Sequence, residues 1–464
     1  RDDWGPATDQ YLNVVDWNGA FLTIQAMNRD QTAMKYLSST AQGGWALNDY
    51  ITVEQPNWIN LSGRYRCFSK AEMSIMTRED GGFRHIHVKR DGEDWTPLTS
   101  GDWVVDDRVG KDEAETIVYF TGYKDTPLER HLYSVPLAGG EPTRITELGR
   151  SWSVAMSPDG KTFVGTSSSP TQPPQTGLYR ADGSLIAWIE ENALDETHPY
   201  FPYLDDHTAP DYGTLEAEDG QTLYYSIQTP PDFDPNKQYP VIIQVYGGPG
   251  VQTVDRDWER FDDQYLSRQG YIVFRLDNRG SANRGKAFED VIYRRTGGPE
   301  VRDQLVGVDW LKAQPFVDAD RIAIQGWSYG GYMTLMTLLQ APEGTFAAAV
   351  SGAPVTDWRL YDTFYTERYM DTPEDNPEGY EASSVFPYID NLNSPLLLIH
   401  GMADDNVTFD NTTRLMAALQ EKGKTFELMT YPGQRHGIRG EALRTHLMRT
   451  RMAFLERHLK AGAK

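Results

Sequence analysis

Cysteine is nearly absent from this chain, since Cys67 is the only one among 464 residues. A single cysteine excludes an internal disulfide and a cluster of thiolate metal ligands. No uninterrupted apolar stretch approaches the roughly 18 residues that a membrane-spanning helix needs. Basic residues are outnumbered as well: 44 Lys and Arg stand against 67 Asp and Glu, and the formal net charge is −23. This acidic balance argues against nucleic-acid binding, which requires a basic face.

The composition that remains is typical of a folded, soluble protein, with 39% hydrophobic and 24% charged residues. A chain of 464 residues is too long for one ordinary core, so two or more domains are expected. The chain opens at Arg1 without a recognisable signal peptide. We therefore expect any targeting segment to have been removed or to lie upstream.

The first half of the chain contains short segments typical of β-strands, separated by Gly, Asp and Pro turns. An internal repeat is visible, because Leu132 lies 46 residues after Ile86, and Leu178 lies 46 residues after Leu132. A period in the forties is typical of a β-propeller, whereas a β-sandwich would not give self-similar units. The sequence therefore predicts a partial all-β propeller over residues 1–195. We expect about four blades, as the C-terminal part of a larger propeller.

The second half has a different pattern. From about Gln221, nearly continuous apolar segments that end in polar turns alternate with amphipathic segments of helix length. Such apolar segments are typical of buried parallel strands, and their alternation with helices indicates an α/β domain. We expect this domain to cover residues 196–464, with a mostly parallel, doubly wound sheet. In such sheets the functional residues gather at the C-terminal ends of the strands.

A G-x-S-x-G motif made by Gly326, Ser328 and Gly330 lies between a predicted strand and a predicted helix. This context is typical of the nucleophile turn of an α/β-hydrolase, so we expect Ser328 to be the nucleophile. The small flanking residues permit the tight turn that lifts the serine oxygen above the sheet. The N-terminus of the following helix favours negative charge that develops nearby.

The α/β-hydrolase fold places its catalytic residues in the order serine, acid, histidine. The segment GMADDN offers Asp404 and Asp405 as the acid, and the residues alone do not separate the two. His436 lies in a loop after a predicted strand, where the general base of this fold belongs. His400 ends a buried strand, and we expect it to be a core residue.

Five motifs together carry a family resemblance: GWSYGGY, YGGPG, DNRGS, YTERYM and HGMADDNV. They resemble the prolyl oligopeptidase superfamily of serine peptidases (S9), in its dipeptidyl peptidase IV branch, over most of residues 215–440. The propeller half is similar to that family more loosely, in order and spacing. The resemblance implies a serine exopeptidase that cleaves after proline, or less well alanine, and releases N-terminal dipeptides through an acyl-enzyme. It also selects Asp404 as the acid of a triad with Ser328 and His436.

The resemblance further implies an oxyanion hole formed by the hydroxyl of Tyr246 and the backbone N–H of Tyr329. Donors placed where negative charge develops stabilise the transition state. A small hydrophobic pocket for proline is also implied, with aromatic walls that stack against a flat ring. Asn406 would hydrogen-bond the substrate carbonyl one residue further from the cut. The pocket positions are Tyr329, Val355, Trp358, Tyr361, Tyr365 and Val407.

The pair of glutamates that binds the substrate amine in this branch is not found at its expected position in this chain. Members of the branch hold the free amine of the substrate with two adjacent glutamates from a propeller segment. Glu190 and Glu191 are the only adjacent glutamates here, and they lie at the wrong end of the propeller half. The alignment order places the expected pair before residue 1, so we expect this chain to be the C-terminal two-thirds of a longer enzyme. An arginine that assists at the substrate carbonyl in the family is likewise unplaced.

Three alternatives remain open. An oligopeptidase or acylaminoacyl peptidase would share the triad and differ in the requirement for a free amine. A non-catalytic binding protein on a hydrolase fold is disfavoured because the expected catalytic residues are all present. A lipase or esterase is disfavoured because no apolar lid is apparent. No motif indicates a metal or an organic cofactor. The resemblance implies a peptide substrate, a homodimer and, for a bacterial member, the periplasm.

Overall fold

The structure is a computed structural model that describes residues 10–18, 21–46, 48–61, 66–68, 71–90, 92–258 and 261–460. The domain ends drawn at residues 1 and 464 lie outside these ranges. Strands alone make up the first part of the described chain, and strands that alternate with helices make up the second. This change follows the shift in the hydrophobic pattern of the sequence.

Four antiparallel sheets, each built from four consecutive strands, form the first part of the described chain. The first contains β1 (Gln10–Asn18), β2 (Phe21–Asn28), β3 (Ala33–Ser39) and β4 (Asn48–Glu54). The second contains β5 (Arg66–Phe68), β6 (Met73–Arg78), β7 (His85–Arg90) and β8 (Thr96–Pro97). The third contains β9 (Val105–Lys111), β10 (Ile117–Gly122), β11 (His131–Pro136) and β12 (Thr143–Arg144). The fourth contains β13 (Ser151–Met156), β14 (Thr162–Ser169), β15 (Gln172–Arg180) and β16 (Leu185–Glu190).

The repeat positions of the sequence occupy equivalent strands. Ile86, Leu132 and Leu178 lie in β7, β11 and β15, the third strand of each of the last three sheets. Ile86 belongs to one buried hydrophobic cluster with Phe120 of the next sheet. Leu132, in the third sheet, belongs to a second buried hydrophobic cluster together with Phe163 of the fourth sheet. Successive sheets thus pack face to face, which is the arrangement of blades in a propeller.

The second part is built around one eight-stranded sheet. Its strands are β17 (Asp211–Glu216), β18 (Thr222–Gln228), β19 (Tyr239–Gln244), β20 (Ile272–Leu276), β21 (Val317–Trp327), β22 (Ala348–Gly352), β23 (Leu396–Gly401) and β24 (Glu427–Tyr431). Their order in the sheet is β17-β18-β20-β19-β21-β22-β23-β24. The β17–β18 and β18–β20 pairs are antiparallel, and the other pairs are parallel. The predicted domain boundary after residue 195 falls between β16 and β17.

Helices connect these strands and cover the sheet. They are α1 (Phe261–Arg268), α2 (Lys286–Glu289), α3 (Pro299–Lys312), α4 (Tyr329–Gln340), α5 (Thr363–Met370), α6 (Pro377–Ala382), α7 (Asp410–Glu421) and α8 (Glu441–Leu459). Short 3-10 helices occupy Phe201–Asp206, Asp290–Ile292, Trp358–Leu360 and Phe386–Asn391. Every residue of helix α4 from Tyr329 to Leu339 is buried, as expected for a largely apolar helix inside a large core.

The parallel strands bring four of the predicted site residues to one edge of the sheet. Tyr246 follows β19, Ser328 follows β21, Asp404 follows β23, and His436 follows β24. Because parallel strands have their C-terminal ends at the same edge, these residues converge there although as many as 190 positions separate them in the chain.

Candidate active site

Ser328 sits at a strained turn between β21 and α4. Its backbone has φ 63° and ψ −122°, a conformation that L-residues with a side chain seldom adopt and that concentrates at functional sites. The turn is held because the Ser328 N–H donates to the carbonyl of Gly352 at 2.9 Å. A Cβ on Gly326 or Gly330 would collide with the carbonyl oxygen of Val245. Both flanking positions therefore require glycine, because the neighbouring backbone comes too close there to leave room for a side chain.

His436 and Asp404 form a direct hydrogen bond. The Nδ1 atom of His436 lies 2.8 Å from Oδ2 of Asp404. Asp404 is buried, whereas the His436 side chain is 25% exposed. Burial acts to raise the pKa of Asp404, but hydrogen bonds from His400, His436 and backbone N–H groups outweigh it and hold that pKa below its ordinary value. Asp404 is thus a carboxylate acceptor at neutral pH, and Nδ1 of His436 carries the proton between them.

The neighbouring Asp405 is placed differently. Its side chain is 58% exposed and forms an ion pair with Arg435 at 2.9 Å. Asp404 instead accepts backbone hydrogen bonds at Oδ1 from Asn406 and Val407, at 3.0 and 3.1 Å. The two adjacent aspartates therefore point in different directions, and the one that contacts His436 is Asp404.

The loop of His436 is fastened to the turn of Ser328. The indole Nε1 of Trp327, the residue immediately before Ser328, donates to the backbone carbonyl of His436 at 2.8 Å. A second link joins this loop to the Asp404 turn, since the N–H of Ala403 donates to the carbonyl of Gln434 at 2.9 Å. The structure thus brings the loops of all three predicted triad residues together.

Tyr246 and Tyr329, the predicted oxyanion-hole residues, lie side by side with ring centroids 6.1 Å apart. Burial and then the nearby Tyr369 raise the pKa of Tyr246, so its hydroxyl keeps its proton and can donate. Tyr329 is the first residue of α4, where backbone N–H groups lack partners within the helix. Its own hydroxyl donates to the buried Glu300 at 2.9 Å, which fixes the ring.

The loop after Tyr246 is anchored by a motif to which the sequence analysis assigned no role. Asn278, from DNRGS, is fully buried and donates through Nδ2 to the carbonyl of Gly247 at 3.0 Å. The preceding Asp277 accepts from the N–H and hydroxyl of Thr253 at 2.8 and 2.7 Å. The motif therefore holds both ends of the segment that begins at Tyr246. Sequence reasoning missed this support because the contacts join residues about 25 to 30 positions apart.

The predicted pocket residues form an aromatic cluster, defined here as Tyr329, Val355, Trp358, Tyr361, Tyr365 and Val407. Trp358 stacks on Tyr365 at 6.1 Å, and Tyr361 meets Tyr365 edge-on at 5.3 Å. Trp358 also contacts Tyr329 at 5.4 Å. Val355 and Val407 are buried in the same hydrophobic core. Asn406 adjoins the cluster, because its Oδ1 accepts from the hydroxyl of Tyr361 at 2.9 Å.

Comparison with known proteins identifies the family of this chain. The family model for the prolyl oligopeptidase family matches residues 258–462, and that for the dipeptidyl peptidase IV (DPP IV) N-terminal region matches residues 2–174. A crystal structure from Bacteroides ovatus, named as a "putative dipeptidyl aminopeptidase IV", is 30% identical with a TM-score of 0.90, over 98% of this chain and 68% of that one. The chain belongs to the prolyl oligopeptidase family. The propeller match places it in the dipeptidyl peptidase IV branch.

Other members of the prolyl oligopeptidase family match over different lengths. Porphyromonas gingivalis dipeptidyl peptidase 4 is 28% identical with a TM-score of 0.91, over 98% of this chain and 65% of that structure. Mus musculus dipeptidyl peptidase 8 is 39% identical over 374 residues, which are 76% of this chain and 41% of the mouse protein. The chain thus spans less than half of that curated relative. The predicted fold class, a partial propeller followed by an α/β-hydrolase domain, is confirmed.

In this prolyl oligopeptidase family chain, the first propeller sheet contacts the helix that carries Tyr365. Arg29 forms a two-pronged ion pair with Glu367 of α5, at 2.8 and 2.6 Å. Gln31 donates to the backbone carbonyl of Phe364 at 2.6 Å. These contacts join residues more than 330 positions apart, so no local pattern could have revealed them. They fix α5, and with it one wall of the aromatic cluster.

The adjacent glutamates lie far along the propeller half, at its last strand. Glu190 ends β16, the outer strand of the fourth propeller sheet, and every residue of that strand is exposed.

Neither a metal site nor a membrane-spanning helix is found in the described part of the chain. Among the described residues, no group of three or more His, Cys, Asp and Glu side chains is arranged to hold a metal ion. Within the same ranges, no helix has both the length and the apolar character needed to cross a bilayer.

Proposed function

We propose that this chain is the catalytic part of a serine peptidase that releases N-terminal dipeptides after proline, or less well alanine. One observation carries the proposal. The His436 imidazole is hydrogen-bonded at 2.8 Å to the buried carboxylate of Asp404, on a loop that is tied to the strained turn of Ser328. A serine, a histidine and a buried acid in these relative positions are the arrangement of acyl-transfer enzymes on several unrelated folds.

The proposed mechanism follows from the proton on His436. Because Asp404 holds that proton on Nδ1, the Nε2 atom has a free lone pair and can take the hydroxyl proton of Ser328. The serine oxygen then attacks the substrate carbonyl, whose oxygen becomes an anion. The hydroxyl of Tyr246 and the N–H of Tyr329 donate to that anion. His436 next gives its proton to the leaving amine, and a water molecule repeats the sequence to hydrolyse the acyl-enzyme.

The aromatic cluster supports the proposed preference for proline. Its partly exposed rings, Tyr361 and Tyr365, offer flat apolar faces that a proline ring could contact without leaving a polar group unpaired. Asn406 would bind the carbonyl of the residue before the proline. A substrate ammonium group also needs a nearby carboxylate, because an unpaired buried cation costs several kcal/mol. Glu190 and Glu191 are poorly suited to this task, since they lie on or just beyond the exposed outer strand of the last propeller sheet.

Two measurements test the proposal. The complete enzyme should cleave Gly-Pro-p-nitroanilide well and its N-acetylated form poorly, and a fluorophosphonate should label one site per chain. Ser328→Ala should abolish both labelling and turnover, while Ser184→Ala, at an exposed propeller turn, should change neither. Full labelling of the Ser328→Ala variant would contradict the triad. Equal kcat/KM for the two substrates would leave the triad intact and favour an oligopeptidase or acylaminoacyl peptidase.

The same resemblance supports two further proposals, a homodimeric state and a periplasmic location. Light scattering of the purified chain tests the first, with a mass near twice 52.6 kDa expected. Cell fractionation tests the second. A monomer at micromolar concentration, or an exclusively cytoplasmic pool, would contradict the respective proposal.

A further inference from the structure

A second histidine contacts the same carboxylate oxygen of Asp404 as His436 does. His400, at the end of β23, is fully buried. Its Nε2 lies 3.1 Å from Oδ2 of Asp404 and 2.9 Å from the backbone carbonyl of Val407. Its Nδ1 lies 2.7 Å from the hydroxyl of Thr412 on α7. Both ring nitrogens of this core histidine are therefore in contact with polar groups.

The chemistry of these neighbours assigns the proton of His400. The carboxylate of Asp404 and the carbonyl of Val407 are both acceptors, so Nε2 must be the donor. In the neutral ring, Nδ1 then accepts from the Thr412 hydroxyl. His400 thus donates one N–H between two oxygens, one on the proposed triad acid and the other on a residue of the aromatic cluster.

Four donors surround the two oxygens of Asp404. Oδ2 faces Nδ1 of His436 and Nε2 of His400, and Oδ1 faces the backbone N–H groups of Asn406 and Val407. The carboxylate cannot rotate without losing hydrogen bonds on both oxygens. Of the four donors, only His400 is a fully buried side chain held in turn by another element, through Thr412 of α7. The rings of His400 and Phe409 meet edge to face, with centroids 5.4 Å apart.

We propose that His400 is a positioning residue of the active site, which orients Asp404 toward His436 and holds the turn of Asn406 and Val407 in register with it. The inference rests on the proposed function, because it assigns His400 its effect through the triad. Two consequences follow. His400 shares Oδ2 with His436, so it weakens the pull of that oxygen on the His436 proton. It also couples the acid of the triad to the residues that would contact substrate.

Replacement of His400 separates this role from a packing role. In His400→Ala, Oδ2 keeps one donor instead of two and becomes a stronger acceptor for His436. We expect the Nδ1–H resonance of His436 to move downfield in the proton NMR spectrum. We expect kcat/KM for Gly-Pro-p-nitroanilide to fall by about tenfold, the effect of one lost hydrogen bond to a charged group. His400→Gln keeps an N–H at the position of Nε2. It should return the His436 resonance to its parental position and bring kcat/KM to within twofold of the parent.

The matched control is His446→Ala, at a histidine of α8 that contacts Tyr431 outside the site. It should change neither the His436 resonance nor kcat/KM. An unmoved resonance in His400→Ala would overturn the proposal even if activity fell, because a packing residue would lower stability without changing that hydrogen bond. If His400→Ala does not fold, His400→Gln decides: parental values support the proposal, and a displaced resonance or lost activity refutes it. The resonance requires no turnover, so an inactive parent chain would count against the peptidase proposal alone.

Discussion

Replacement of Asp404 by asparagine is the sharpest test of the proposed triad, because the structure defines what an amide would meet there. An asparagine has one oxygen and one NH2 group in place of two equivalent oxygens. If the oxygen keeps the backbone N–H groups of Asn406 and Val407, the NH2 group faces Nδ1 of His436 and Nε2 of His400. If the amide turns over, the NH2 group faces the two backbone N–H groups instead. Each orientation opposes donor to donor.

The least costly escape is a change of tautomer in His436. With its proton moved to Nε2, Nδ1 can accept from the amide, but Nε2 then has no lone pair for the proton of Ser328. We expect kcat to fall by about 10⁴, which corresponds to about 5 kcal/mol in the barrier. Asp405→Asn removes an exposed ion pair with Arg435, whose worth is at most about 1 kcal/mol. That variant should retain at least about a fifth of the parental kcat.

Steady-state hydrolysis of Gly-Pro-p-nitroanilide by the two purified variants measures this ranking, and thermal melting shows whether both are folded. The rate of fluorophosphonate labelling gives an independent reading, because it depends on the same deprotonation of Ser328. A larger loss in Asp405→Asn than in Asp404→Asn would refute the assignment of the acid. Equal, small losses in both would refute the role of the carboxylate altogether.

Two further predictions concern Tyr246 and Glu289. Tyr246→Phe should lower kcat by about 10²-fold or more and change KM little, because an oxyanion donor acts mainly on the transition state. A raised KM with an unchanged kcat would instead make Tyr246 a substrate-binding residue. Burial and then the nearby Glu79 raise the pKa of Glu289 to about 7. The folded chain therefore holds this proton up to about pH 7, whereas the unfolded chain loses it near the ordinary glutamate pKa of 4.5. The free energy of unfolding should therefore fall as pH rises through that window, by at most about 3 kcal/mol. Glu289→Gln keeps an acceptor for Asn60, which donates to Glu289 at 2.6 Å, and it should raise Tm at pH 8 but not at pH 4. Glu343→Gln, at an exposed position, is the control. An equal change in Tm at both pH values would contradict the raised pKa of Glu289.

The sequence predicted the fold class because its signals are local and repeated. A 46-residue step in the apolar pattern marks equivalent strands of successive sheets, since each blade must place the same face against its neighbour. The nucleophile turn was predictable for the same reason. Gly326, Ser328 and Gly330 lie within five residues, between a strand pattern and a helix pattern, so the motif is visible locally. The atom that excludes a Cβ at both glycines is nevertheless the carbonyl oxygen of Val245, more than 80 positions earlier in the chain.

Contacts between distant segments could be decided only by the tertiary structure. Asp404 and Asp405 are chemically alike and adjacent, and their surroundings differ because one points into the fold toward His436, 32 residues later, while the other is exposed and pairs with Arg435. The hydrogen-bond partner of His400 could not be predicted for the same reason. Its burial was expected from its strand, but the identity of its partner depends on how the 404–407 turn folds back over the strand end.

The sequence by itself determined which elements form, in which order, and which strand ends carry chemically active residues. The tertiary structure decided which side chains face each other across those ends, how DNRGS anchors the segment after Tyr246, and how Arg29 holds the helix that carries Tyr365. The physical reason is the separation along the chain over which each interaction acts. Backbone sterics and hydrophobic periodicity act over a few residues and leave a pattern in the sequence, whereas a hydrogen bond such as that between Arg29 and Glu367, 338 positions apart, depends on the packing of the whole chain.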